Sequence, residues 1–283
     1  MKTVLGIVGS MRRLGNCEIM IKEIGRRIAE PHRLKLLRLP EFDIAPCRGC
    51  YTCLVKDQCV IDDDYRRVVE AMLEADMLIV AAPTYFLGPS AILKRFTDRG
   101  LSLYPHVENL WTKPAVAVGI AGIAGKEGYT LLGLENFVKM IFGDLRMGRI
   151  VYGALPGEVF LNEENLDTAA ELAAALANES ARPMEPYCPL CGGQTFRFLG
   201  NNRVRCMLCS NAGTLSMEGK VARLHIQRSR HEFFLTREDA LAHKQWLVGM
   251  KSRFLEHKKP LKQISLEYRD DGEWVRPPKT EDH

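Results

Sequence analysis

The chain has 283 residues, 46% of them hydrophobic, with 39 Lys+Arg against 35 Asp+Glu for a net charge of +4. That length and apolar content suit one large domain plus a small one, and no apolar run approaches the roughly 18 residues of a membrane span. The net charge is too small to name a partner, although residues 181–283 are mildly basic, with 18 Lys+Arg against 12 Asp+Glu.

Met1–Gly9 lacks the pattern of a signal peptide and reads as the entry to a first strand, Val4–Val8, so a cytoplasmic location is expected. Cys17–Ala29 has helical spacing, with Cys17, Met20, Ile21, Ile24 and Ile28 on one side. Cys17 is expected to be a buried small apolar residue. Leu34–Leu39 suits a second strand, Tyr65–Ala75 a helix and Met77–Ala82 an apolar strand. Ala91–Arg99 follows as a helix, Pro114–Ile120 as a strand, Thr130–Phe142 as a helix and Arg149–Gly153 as a last strand. Glu163–Asn178 closes the series as an Ala- and Leu-rich helix. Apolar strands alternating with helices predict an α/β fold whose parallel sheet is covered on both faces. Five strands predict a flavodoxin-like, doubly wound domain over residues 1–181, with ligands at the carboxyl ends of the strands. Arg182–Pro186 reads as a linker. A short strand-rich module over 187–226 follows, then a C-terminal helix over 232–260, with Thr236-x-x-Asp239 as a possible cap. Residues 270–283 are expected to be disordered.

The nine cysteines divide into two sets of four plus Cys17. Cys47, Cys50, Cys53 and Cys59 read C-x2-C-x2-C-x5-C within 13 residues. Thiolates in such a tight run can converge on one centre, and iron–sulfur clusters are held this way. Zinc and idle or redox-active thiols are the alternatives; disulfides do not suit a cytoplasmic chain. Cys188, Cys191, Cys206 and Cys209 read C-x2-C-x14-C-x2-C, the spacing of a four-cysteine zinc ribbon. A bound ion would supply folding energy that so small a module cannot gain from a core. A rubredoxin-like iron uses the same thiolates, but the second knuckle lacks the proline such sites show, which favours Zn2+.

Three loops at predicted strand ends carry further chemistry. Gly9–Asn16 leads into a helix N-terminus, where Ser10, Asn16 and either Arg12 or Arg13 can meet a phosphate. Ala82–Ser90 offers the aromatic faces of Tyr85 and Phe86. Gly119–Gly125 is glycine-rich and lets the backbone approach a flat ligand.

Taken in order, Gly9–Asn16, Cys47–Cys59 with Asp62-Asp63-Asp64, and Pro83–Phe86 with Ser90 resemble the NAD(P)H-dependent FMN reductase family, more narrowly its iron–sulfur flavoproteins. The resemblance implies FMN, with Ser10, Arg12, Gly15 and Asn16 on its phosphate. Pro83, Thr84, Tyr85 and Phe86 would border the ring, with Gly119 and Gly122 on its other edge. It also implies a [4Fe–4S] cluster on Cys47, Cys50, Cys53 and Cys59, and a homodimer or homotetramer. A flavin takes up a hydride and releases electrons singly, so the pair would convert two-electron into one-electron chemistry. The expected function is an oxidoreductase moving electrons between NAD(P)H or a ferredoxin-like carrier, FMN and the cluster. One alternative is a cluster-free FMN or quinone reductase. Another is a redox-responsive module that binds nucleic acid or protein. The nucleic-acid reading is the weaker, because Arg197, Arg203 and Arg205 form no basic stripe.

Overall fold

Segments of unbroken Val, Ile, Leu and Ala have no polar face to offer water, so they become strands buried from both sides. In the structure, a computed structural model that describes residues 1–111, 113–178 and 185–277, the strands are β1 Lys2–Val8, β2 His32–Arg38, β3 Met77–Tyr85, the two-residue β4 Gly88–Pro89, β5 Pro114–Ala121 and β6 Asp144–Tyr152. Five of them form a parallel sheet in the order β2-β1-β3-β5-β6, the flavodoxin-like winding expected, while β4 pairs antiparallel with the end of β3. β6 starts earlier than the predicted Arg149, because its charged first half lies on the sheet's edge and pairs with β5 alone.

Seven helices accompany the sheet: α1 Asn16–Arg27, α2 Cys53–Lys56, α3 Tyr65–Glu74, α4 Ile92–Thr97, α5 Val107–Leu110, α6 Thr130–Met140 and α7 Glu164–Ala177. Met20, Ile21 and Ile24 of α1 and Leu172 and Leu176 of α7 pack with Val4, Ile79, Val116, Val118 and Val151 in one buried cluster. Cys17 belongs to it, and burial pushes its thiol up to about 12. Elsewhere Phe96 of α4 stacks on Tyr65 of α3 at 4.7 Å and tilts against Phe137 of α6 at 5.8 Å. Phe96 is fully buried, a burial that stabilises the fold by about 2–3 kcal/mol.

Four antiparallel strands follow: β7 Phe196–Gly200, β8 Arg203–Cys206, β9 Ala212–Glu218 and β10 Val221–Ile226, in the order β10-β9-β8-β7. Val204 and Ile226 of these strands, Leu208 of the second knuckle and Phe234 beyond β10 pack together with Trp111, Leu132, Met140 and Leu145. Met1–Lys244 forms one compact unit and Gln245–His283 another. Residues 181–184, which hold the end of the predicted first domain and most of the predicted linker, lie outside the described residues, as do 278–283 of the predicted tail.

The predicted C-terminal helix is two helices, α8 Arg237–Glu256 and α9 Lys258–Glu267. Thr236 and Asp239 exchange hydrogen bonds, Thr236 N–H to Asp239 Oδ2 at 2.9 Å and Asp239 N–H to Thr236 Oγ1 at 3.2 Å. That reciprocal cap starts α8 later than the predicted residue 232. The break falls at His257, and Pro260 sits in the first turn of α9, where its missing N–H costs nothing. Among the described residues no helix is long and apolar enough to cross a membrane.

Candidate functional site

Parallel strands leave their carboxyl ends on one edge of the sheet, so the loops after β1, β2, β3, β5 and β6 share that edge. The first loop is held from below. Arg38, at the end of β2, donates from Nη1 to the carbonyls of Ser10 at 2.9 Å and Arg12 at 3.0 Å. Its Nη2 meets Glu18 at 2.6 Å, and Glu18 also accepts from Lys22 at 2.6 Å and from Leu14 N–H at 2.8 Å. Burial works against the Glu18 charge, but these hydrogen bonds outweigh it and hold the carboxyl at about 2. Ser10 and Gly15 are buried, and the Ser10 hydroxyl accepts the Arg12 N–H at 3.2 Å. Asn16 and Arg12 reach sideways. The Asn16 amide donates to Gly153 O and accepts from Gly157 N–H, each at 2.9 Å, and Arg12 donates to Ala154 O at 3.3 Å. These two residues, expected on a phosphate, thus clasp a fourth loop after β6. The turn signals Gly153, Pro156 and Gly157 stood in the sequence and went unused.

The end of β3 forms a hairpin with β4, in which Tyr85 pairs with Gly88 across Phe86 and Leu87. Both turn residues are left-handed, at φ 47° and 69°. Two-residue turns of this kind favour Asn-Gly, and side chains in their place cost about 1–3 kcal/mol each. The loop after β5 clamps the tip: Tyr129 N–H donates to Leu87 O at 2.7 Å. Gly128, at φ +54°, passes so close that a Cβ there would lie 2.2 Å from that same oxygen. Thr84 and Thr130 join their hydroxyls at 2.9 Å. Pro83 and Thr84 are half-buried, Tyr85 is exposed, and Phe86 stands fully in solvent at 104%. The third loop is shorter than predicted. Gly119 lies inside β5, where Ile150, Thr130 and Leu134 fill the space of its missing side chain. Gly122 is exposed and opens the true loop.

The loop after β2 carries the first cysteines. Asp63 and Asp64 close its neck: Asp43 N–H donates to Asp64 Oδ2 at 2.9 Å, Asp64 N–H to Asp43 O at 2.9 Å, and Ala45 N–H to Asp63 Oδ2 at 2.8 Å. Cys47, Cys50, Cys53 and Cys59 line one cavity of about 200 Å³, with Tyr51, Asp98 and Arg99 among its other walls. The Arg99 side chain is 1% exposed and is ion-paired with Asp63, which is 3% exposed. Its guanidinium carbon lies 4.1 Å from the centre of the Tyr65 ring. The Asp63 carboxyl is opposed by burial, yet Arg99 and the N–H groups of Ala45 and Tyr65 keep it below the usual range. Arg99 Nε is buried without a hydrogen-bond partner. An orphaned buried donor costs about 1–3 kcal/mol.

The second cysteine set is already gathered. Cys188, Cys191, Cys206 and Cys209 hold their sulfurs within 4.8 Å of one another. Cys188 and Cys209 are 3.8 Å apart and Cys191 and Cys206 3.5 Å, close to the about 3.8 Å between ligands of one tetrahedral ion with bonds of about 2.3 Å. Both knuckles close alike, Gly192 N–H to Cys188 O and Ser210 N–H to Cys206 O, each at 2.9 Å. Gly192 and Ser210 are left-handed at φ 78° and 62°. Hydrogen bonds from Cys188, Cys191 and Cys206 hold the Cys209 thiol well below its ordinary range.

The family described as NADPH-dependent FMN reductase matches residues 2–140. An iron–sulfur flavoprotein of Archaeoglobus fulgidus is 33% identical over 190 residues, which cover 66% of this chain and 84% of that protein. One from Methanocaldococcus jannaschii is 32% identical over 189 residues, covering 62% of this chain and 95% of that protein. This chain belongs to the iron–sulfur flavoproteins of the FMN reductase family. As a member it is an NAD(P)H-dependent flavin oxidoreductase, in a family whose cofactor is FMN. A solved flavone reductase, 17% identical, shares the fold at a TM-score of 0.73 over 97% of this chain and 99% of its own.

The residues at this edge are of the kinds that would hold a flavin and a metal centre. Exposed Tyr85 and Phe86 offer apolar area that a flat ring would cover, on a strained turn held in place from two sides. The first four cysteines fit a cluster better than a lone ion. They share one cavity but, among the described residues, are not drawn together at single-ion spacing as the ribbon's are. The sequence reading missed Arg99 and Arg38, each of which looks like an ordinary surface cation at a helix or strand end.

Proposed function

We propose that this flavin oxidoreductase passes electrons from NAD(P)H or a ferredoxin-like donor through FMN and a [4Fe–4S] cluster on Cys47, Cys50, Cys53 and Cys59 to a one-electron acceptor. The observation that carries the reading is the placement of all four cysteines around one cavity, on the strand-end edge that also bears the flavin loops. Bound FMN supplies hydride acceptance and single-electron release. The protein supplies position. Ser10, Gly15 and the start of α1 would receive the phosphate, with Arg12 and Asn16 holding the loop after β6 beside it. Pro83–Phe86 would line the ring, with the backbone from Gly122 on its far side.

The ribbon's sulfur spacing supports structural Zn2+ on Cys188, Cys191, Cys206 and Cys209. A cytoplasmic setting is part of the reading, supported by cysteines spaced as two sets of metal ligands. Assembly as a homodimer or homotetramer is part of the reading, supported by the exposed Trp246, Phe254, Leu255, Leu261 and Ile264 of α8 and α9.

The test is an absorption spectrum of anaerobically purified protein with iron, sulfide, zinc and flavin counted per chain. About four irons, four sulfides, one FMN and one zinc are expected. FMN and zinc without iron after anaerobic reconstitution would leave a cluster-free FMN or quinone reductase. Iron in the ribbon would replace zinc by a rubredoxin-like centre.

A further inference from the structure

We infer that Arg99 is a positioning residue for the cysteine-bound centre: its buried guanidinium lends a hydrogen bond to the sulfurs and raises the centre's reduction potential. The inference rests on the cluster reading above and concerns one side chain that the reading does not use.

Three observations carry it. Arg99 is a wall of the cavity that all four cysteines line. Burial works against its charge, but Asp63 and then Cys59, another wall of that cavity, hold its pKa above the ordinary value. Its Nε–H is buried without a partner, whereas Nη1 is engaged by Asp63 and Ala45. The other contacts explain how it is held. Asp63 takes Nη1, which also reaches Ala45 O at 3.5 Å, and Tyr65 lies under the plane. The Arg99 carbonyl accepts from Tyr65 Oη at 3.1 Å and Ser102 Oγ at 2.8 Å, so the backbone is fixed too. The guanidinium is thus held through Nη1 and its plane, while Nε is left without a partner in the wall of the cysteine cavity.

The consequence follows from charge. Each electron added to a thiolate-bound cluster makes it one unit more negative. A fixed cation with a spare donor stabilises the reduced state more than the oxidised one. Net charge and hydrogen bonds to the sulfurs are established levers on such potentials. Asp63 offsets part of the cation at a distance but cannot replace the hydrogen bond.

The test is an EPR-monitored redox titration of the reconstituted full-length protein, with iron and sulfide counted in parallel. Arg99→Lys keeps a cation for Asp63 and removes Nε. It is expected to retain fold, flavin and iron while the reduction equilibrium moves at least about tenfold toward the oxidised state, or about 59 mV for one electron. If Arg99→Lys does not fold, the double variant Arg99→Met, Asp63→Asn removes both charges together and is expected to move the potential the same way. An unchanged potential in a folded, iron-loaded variant overturns the inference and leaves the cluster reading intact. Wild-type protein that takes up no iron on reconstitution overturns the cluster reading and the inference with it.

Discussion

Glu18 shows how much a single side chain can organise at this edge. It joins Arg38, Lys22 and the backbone of the phosphate-type loop, and its carboxyl is held down at about 2. A depressed carboxylate contributes stability above its unfolded value of about 4.3 and loses it as pH falls through the folded value. Wild-type protein should therefore weaken between about pH 5 and 2. Glu18→Gln should be less stable at pH 7 by about 1–3 kcal/mol and show a shallower acid loss. Urea midpoints at pH 7 and pH 3 decide this; parallel curves for the two proteins would assign the acid loss to other groups. Leu87 is the opposite case, a residue kept despite its backbone. Leu87→Gly should raise stability by about 1 kcal/mol by relieving the left-handed turn, measured by denaturant unfolding. A loss instead would mean that the side chain is held by contacts stronger than the strain. Such residues were poorly legible in the sequence. Ser10, the Pro83–Phe86 strand end and all eight paired cysteines could be picked out by type and spacing. Glu18, Arg38 and Arg99 could not, since a charge pattern does not reveal which ions the fold will bury.

At the scale of elements, periodicity worked where burial was complete. β1, β3, β5, α1, α3, α6 and α7 lie within a few residues of expectation, because fully apolar strands and one-sided helices leave little choice. It failed at β6, whose charged first half is tolerated on an edge, and at the C-terminal helix, where an apolar spacing accompanies a mostly exposed surface. Gly119 was misplaced because glycine in a strand and glycine in a loop look the same in sequence. The ribbon's knuckles invite an experiment. Ser210 occupies the left-handed position that Gly192 fills in the first knuckle. Ser210→Gly should therefore stabilise the ribbon by about 1 kcal/mol and slow loss of its metal to a chelator. An unchanged release rate would show that this turn does not limit opening.

Across the whole molecule, the ribbon shares a buried cluster with Trp111, Leu132, Met140 and Leu145, so its cysteine site is packed against the first domain within Met1–Lys244. Chelating the ribbon's metal should lower the unfolding midpoint of the flavin domain as well as the ribbon's. Calorimetry with and without chelator tests this. Two independent transitions, with the upper one unmoved, would show that the shared cluster transmits little. Sequence spacing suggested separate modules here, because it shows the metal knuckles but not the apolar surface against which they are laid.

The cysteine loop is tied at its neck. Asp43 and Ala45 on one side are bonded to Asp63 and Asp64 on the other, so the two ends of the loop are fastened to each other and not only through the residues between them. A segment with that property is a cassette. A chain of this architecture whose loop were shortened at that neck would keep the same closure between β2 and α3, with the first and third loops of the edge untouched.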